Sequence, residues 1–309
     1  MTGKIRKTAL LLLLAAICIS AAGLYGCSTK NDGNTVSGGK LKVSVSFDAM
    51  KEFVKAVGKD KVEISVMMPD GTEPHSFEPK ARDISGLSDA DIFVYNGMGM
   101  EPWAEKTIEA SGNDELIAVK ASKGVKPVKL TDKAETEEHG EYDPHCWLSI
   151  KCAEKEVTNI KKAFIKADPD NTDYYEKNAS VYIGRLEKLY DEYDKKFAST
   201  ERKDFVTGHA AFGYLCRDFG LEQSSVEDVY AEGEPTASQL ADLVKYCREN
   251  HVDVIFAEKL ASPEVSETLA DEVGARVETI YTMTGSENGK SYISRMRSDL
   301  QKIYASLAD

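Results

Sequence analysis

The chain has no Cys-x-x-Cys pair and none of the patterns His-Glu-x-x-His, Gly-x-Ser-x-Gly or Gly-x-x-x-x-Gly-Lys-Ser/Thr. The first absence removes a cysteine-built structural zinc site; the others remove the commonest local signatures of a zinc peptidase, a serine hydrolase and a phosphate-binding loop. Positive charge is also in deficit, with 39 Lys and Arg against 52 Asp and Glu and a net charge of −13. An acidic surface argues against nucleic acid and mildly favours cations, although solubility alone accounts for much of it. The one long apolar run, residues 9–22, is shorter than the roughly 20 residues that cross a bilayer. Histidine is scarce as well, with only five in the chain.

That apolar run follows Lys4, Arg6 and Lys7 and ends in Leu24-Tyr25-Gly26-Cys27. It reads as a secretory leader over residues 1–26, and the ending resembles a bacterial lipobox in which Cys27 becomes the lipidated first residue. Residues 27–40 are polar and Gly-rich, as expected of a tether that holds a domain off a membrane. Loss of the leader leaves 36 cationic against 52 anionic side chains, a net charge of −16. About 280 residues remain, enough for two lobes with real cores. Of the six cysteines, Cys146, Cys152, Cys216 and Cys247 lie beyond the leader and the lipobox. Their spacing dictates no pairing, so disulfides and buried thiols both stand open.

Three of the histidines sit far apart in stretches built to hold them still. These are Gly71-Thr72-Glu73-Pro74-His75-Ser76-Phe77-Glu78-Pro79, Asp143-Pro144-His145-Cys146-Trp147-Leu148 and His209-Ala210-Ala211-Phe212-Gly213-Tyr214-Leu215. Imidazole is the commonest protein ligand of divalent transition metals, and three with an open fourth position form a known zinc arrangement. A lone His beside Pro or an aromatic is more often a packed residue; three such motifs together shift the balance. Cys146 adjoins His145, but consecutive side chains of an extended segment point to opposite faces, which leaves it out of the ligand set.

Strand and helix signals alternate through residues 41–170, with strands expected over 42–47, 62–68, 92–95 and 116–119. Helices are expected over 48–57, 81–87 and 102–111, with another beginning near Leu148. The same grammar returns over residues 200–309. Strands are expected there over 205–208, 226–229, 254–257 and 276–280, and helices over 210–219, 237–250, 263–273 and 291–307. This alternation predicts two α/β lobes, each a mostly parallel sheet flanked by helices. Between them, residues 171–199 carry Tyr175, Ala179, Tyr182, Leu186, Leu189, Tyr193 and Phe197 at steps of three and four. That is one amphipathic helix, roughly 40 Å long at 1.5 Å per residue, a stiff bridge that should restrict hinge bending between the lobes. His75, His145 and His209 all fall at strand-to-helix junctions, where open α/β sheets bind ligands. Two belong to the first lobe and one to the second, so a shared ion would lie in the cleft.

Residues 133–142 differ in kind. Glu135, Glu137, Glu138 and Glu141 surround His139 without apolar periodicity, which reads as an exposed loop. A solvated charge run is the plain reading; an auxiliary cation-collecting loop centred on His139 is the functional one. His251, in Glu249-Asn250-His251-Val252-Asp253, reads as a turn residue.

The Pro-Asp-Gly-x-Glu-Pro-His-x-Phe-Glu-Pro, Asp-Pro-His-x-Trp-Leu and His-x-Ala-Phe-x-Tyr-Leu stretches, together with the long bridging helix, resemble the zinc-binding type of solute-binding lipoproteins of bacterial zinc and manganese ABC importers (cluster A-I). The likeness covers essentially the whole chain beyond the leader. It implies a monomeric, lipid-anchored extracytoplasmic receptor that captures a divalent metal between its lobes and delivers it to the membrane subunits of an ABC permease. By the same resemblance His75, His145 and His209 are the metal ligands. The family often supplies a further Asp or Glu after the last strand of the second lobe; here the residues are Ile280-Tyr281-Thr282-Met283-Thr284. The fourth position then falls to water, to Glu258 or to an acid of the 135–141 segment, with a supporting role the plainer reading of Glu258.

Three imidazoles with one small ligand suit tetrahedral Zn2+, whereas manganese prefers oxygen-rich, higher-coordinate sites. Zinc is the expected cargo and Mn2+ the alternative. Release is expected as pH falls through the imidazole range, near 6.5 or below. A zinc hydrolase would also use three His and a bound water, but it needs a poised general base and a substrate pocket that the sequence does not display. A receptor for a bulkier metal chelate would need a roomier cleft, and an adhesive surface role leaves no mark in the residues.

Overall fold

The computed structural model describes residues 39–72, 74–130, 133–231, 236–259, 264–286 and 289–308. The expected leader, Cys27, most of the tether, Glu73 and Pro263 lie outside the described residues. Among the described residues no helix is long and apolar enough to cross a membrane.

The first lobe runs β1 (Leu41–Val45), α1 (Asp48–Gly58), β2 (Val62–Val66), α2 (Ala81–Ser88), β3 (Ile92–Tyr95), α3 (Ala104–Ala110) and β4 (Ile117–Lys120). It continues with α4 (Lys133–His139) and α5 (Ile150–Ala167). After the bridging α6 (Thr172–Ala198), the second lobe runs β5 (Asp204–His209), α7 (Gly213–Phe219), β6 (Glu222–Glu227), α8 (Ala237–Glu249), β7 (Val254–Glu258), α9 (Glu264–Val273), β8 (Arg276–Ile280) and α10 (Tyr292–Ala308). The two sheets repeat one topology, β2-β1-β3-β4 and β6-β5-β7-β8, and every pairing is parallel. Central strands covered by helices on both faces read as apolar runs, as in the fully buried Val254–Glu258. In each sheet the order reverses at the first strand of the lobe, so the ligand-binding crevices open at the carboxyl ends of β1 and β3 and of β5 and β7.

Helix α6 joins the lobes mechanically as well as in sequence. Its buried face is Tyr175, Asn178, Ala179, Leu186, Leu189, Tyr193 and Phe197, the expected stripe with Tyr182 only partly covered. That face packs on α1 and α5 of the first lobe and on α7 and α10 of the second. One apolar cluster therefore runs from Val43 and Phe93 through Leu186 to Phe205, Phe256 and Ile303. The seam carries polar ties too. The first turn of α1 has orphan amides, and those of Asp48 and Ala49 donate to the carbonyls of Thr284 and Met283 in the second lobe. Fully buried Arg295 of α10 pairs with Asp48 at 2.6 Å and donates to the Gly285 carbonyl at 2.7 Å.

Three local expectations shift. Residues 133–139 form a helix rather than a loop, flanked by an antiparallel bridge between Lys129 and Tyr142. Its supports are polar, including a Lys133–Glu137 pair at 3.6 Å and a bond from the Val229 amide to Glu135, which is why apolar periodicity is silent there. Strand β6 lies at 222–227 rather than 226–229, since the half-covered edge tolerates the polar run Gln223-Ser224-Ser225. Helix α7 starts at Gly213, with Ala210 to Phe212 spent on the turn after β5.

Candidate metal centre

His75 reaches the cleft on the loop after β2. Its entry turn closes with the Thr72 amide on the Pro69 carbonyl, and Gly71 at φ 79 supplies a conformation other residues resist. Phe77, buried against Trp103 with ring centroids 5.5 Å apart, anchors the exit. Asp70 also accepts from the Ser286 amide and hydroxyl at 2.9 and 2.6 Å, which ties this loop to the second lobe.

His145 is held from both sides. Asn96, just past β3, donates to the Pro144 carbonyl at 2.9 Å. Asp143 Oδ1 accepts the His145 amide at 2.8 Å and faces its Nδ1 at 3.0 Å. Tyr214 of the second lobe then donates to the Asp143 carbonyl at 2.6 Å, and Gly213 leaves the room that Asp143 Oδ2 needs, since a Cβ there would stand 2.7 Å from it.

His209 is the last residue of β5, beside the end of β7 at the second sheet's crevice. Glu258 closes β7, and its Oε1 accepts the His209 amide at 3.1 Å and lies 3.3 Å from Nδ1. Any side chain at Gly208 would collide with Glu258 Oε2.

These supports bring the three imidazoles together. Ring centroids lie 5.1 Å apart for His75 and His145, 5.3 Å for His145 and His209, and 6.3 Å for His75 and His209. The Nε2 atoms of His75 and His145 are 3.2 Å apart, and one donor from each ring lies within 4.8 Å of the others. Zinc at 2.0–2.1 Å from each nitrogen places tetrahedral neighbours about 3.4 Å apart, so small ring movements close the triangle. Carboxylates facing Nδ1 of His145 and His209 fix the tautomer that leaves Nε2 as the lone-pair donor. Burial, and then the neighbouring imidazoles, lower His75 to about 2 and hold His145 well below the ordinary value, so both rings stay neutral and ready to ligate. Burial raises Asp143 to about 7 despite its bond from the His145 amide.

Glu258 is spent on His209, and among the described residues the convergent group is His75, His145 and His209. Thr282 and Thr284 are buried, with the Thr282 carbonyl accepting Trp147 Nε1 at 2.8 Å. His139 stacks on Tyr230 at 3.9 Å and stands outside the triangle. Cys146 points away, to Asn96 Oδ1 and Glu156 Oε1 at 3.1 and 3.0 Å. His251, at φ 51, is the turn residue after α8. Sequence reading missed the roles of Asp143, Asn96, Tyr214 and Tyr230. A carboxylate two residues before a His was a usable signal for Asp143, and Tyr214 stood within the third motif; Asn96 and Tyr230 had none.

Residues 43–306 match the family described as zinc-uptake complex component A, periplasmic. A Treponema pallidum (strain Nichols) protein named for metal binding is 43% identical over 286 residues, covering 90% of each chain. The high-affinity zinc uptake system protein ZnuA of Bacillus subtilis (strain 168) is 38% identical over 317 residues, covering 98% of each. The crystal structure of the Zn(II)-bound ZnuA-like domain of Streptococcus pneumoniae AdcA superposes with a TM-score of 0.75 at 32% identity, covering 88% of this chain and 100% of that one.

Proposed function

Because the chain belongs to the zinc-uptake component A family, we propose that it is an extracytoplasmic receptor that captures Zn2+ between its lobes and delivers it to an ABC permease. The observation that carries this reading is the convergence of His75, His145 and His209 from two lobes, with donor atoms within 4.8 Å. Three imidazoles and one water would give the ion a tetrahedral shell, and an all-nitrogen protein set favours zinc over manganese. Asp143 and Glu258 act as positioning carboxylates, and Cys27 anchors the monomeric receptor to the membrane through lipid.

Metal analysis and thermal melting of the purified chain test the assignment. Zinc should bind at one equivalent and raise the melting temperature, since a ligand at 1,000 times its Kd stabilises by about 4 kcal/mol. His209→Ala should remove most of that gain. Absence of a zinc-dependent shift in the wild type would refute the proposal. Mass spectrometry of the cell-derived protein reads the lipid on Cys27 directly.

A further inference from the structure

The acidic helix α4 and residues 228–231 after β6 meet beside His75 of the metal centre. Tyr230, only 4% exposed, sets its ring edge-on to His75 with centroids 5.2 Å apart. His139, from the other lobe, stacks on Tyr230 at 3.9 Å with an interplanar angle of 22°. Beside this stack, Glu135 Oε1 accepts the Val229 amide at 2.8 Å, and the Tyr230 hydroxyl faces the Tyr142 carbonyl at 3.4 Å. Gly99 lines the same spot, in ordinary contact range of the His139 carbonyl and the Tyr230 hydroxyl, and its φ of 92 is a conformation that favours glycine. Ala231, next along, sits at φ 52, a left-handed conformation that a non-glycine residue holds only when its surroundings enforce it.

We propose that the His139–Tyr230 stack, latched by Glu135 to the Val229 amide, is the gate through which the ion enters and leaves the cleft. The bridging helix and the continuous core resist a wide hinge opening, so exchange needs a local door. This strap offers one: a stacked pair and polar bonds carried by a two-turn helix join it across the lobes, where His75 is the least buried of the three imidazoles. His139 thereby serves as a bolt on Tyr230 rather than as a ligand. The inference rests on the zinc-receptor reading above.

Stopped-flow exchange with a chromogenic zinc chelator tests it on the whole chain, with Kd measured separately by competition. A stacked pair biases an opening equilibrium by roughly two- to tenfold. His139→Ala and Glu135→Ala should each raise zinc association and dissociation together by that factor while Kd stays within about twofold of the wild type. Tyr230→Ala should accelerate dissociation further. His139 and Glu135 are partly exposed on a short helix, so their variants carry the test even where Tyr230→Ala fails to fold. Unchanged rates in both α4 variants would overturn the gate. Faster dissociation matched by an equal loss of affinity, with association unaltered, would also overturn it by making these residues part of the bound ion's surroundings. A wild-type chain that takes up no zinc would instead sink the receptor reading beneath it.

Discussion

Replacing Glu258 by Gln separates a carboxylate that holds a ligand from one that is a ligand. In the fold Glu258 Oε1 accepts the His209 amide and lies 3.3 Å from its Nδ1. Gln keeps an acceptor of the same shape but loses the charge. Charge-assisted bonds are about twice as strong as neutral ones, a difference of about 1 kcal/mol, or roughly five- to tenfold in zinc affinity. Loss of a whole imidazole is a larger event. Structural zinc sites with four ligands bind with about 10–16 kcal/mol, so one ligand carries about 3 kcal/mol and His209→Ala should weaken binding on the order of 10²- to 10³-fold. Competition against a fluorescent chelator at fixed pH and ionic strength resolves the two. If Glu258→Gln costs as much as His209→Ala, Glu258 coordinates the ion and the positioning role is wrong.

Three further outcomes follow from the packing. Burial raises Glu101 and Asp143 to about 7 and Glu156 to about 8, so between pH 8.5 and 6.5 the folded chain takes up protons that unfolded carboxyls refuse. The metal-free protein should therefore melt higher at pH 6.5 than at 8.5. Below that, unfolded imidazoles near 6.5 bind protons that the buried rings of His75 and His145 reject, and the curve should level; a melting temperature that climbs with pH would contradict it. Arg295→Met leaves Asp48 at the buried seam with Lys51 as its remaining cation and should cost about 3 kcal/mol in urea unfolding; an effect under 1 kcal/mol would show that the pair is replaceable. Tyr214→Phe removes the hydroxyl that holds the Asp143 carbonyl, and calorimetry should find about 1 kcal/mol less stability together with weaker zinc binding. Unaltered affinity would mean that this bond does not position His145.

Much of the architecture was legible because it is written in periodicity. Strand β8 at 276–280 and strand β3 at 92–95 fall where their β-branched runs end, and the spine helix carries its apolar stripe over seven turns. What misled were elements held by long-range polar contacts. Nothing within 133–142 announces that Glu135 will meet an amide some ninety positions away, so a two-turn helix looked like a loop. Strand β6 hid behind hydroxyls that an edge tolerates. At the site, the histidines announced themselves through flanking Pro and aromatic residues that fix loops. Their supporting carboxylates did not, because Glu258 serves His209 only after β5 and β7 lie side by side.

The four described thiols have a consequence for life outside a cytoplasm. Cys146, Cys152, Cys216 and Cys247 are all unpaired and interior, and burial pushes each of them up, Cys152 and Cys247 to about 11. Since thiolate is the species that attacks disulfides and captures soft metals, sulfur kept protonated is chemically silent. Such a domain can mature without oxidases or isomerases, keep its shape whether its surroundings are aerobic or reducing, and leave nitrogen alone to compete for the cargo.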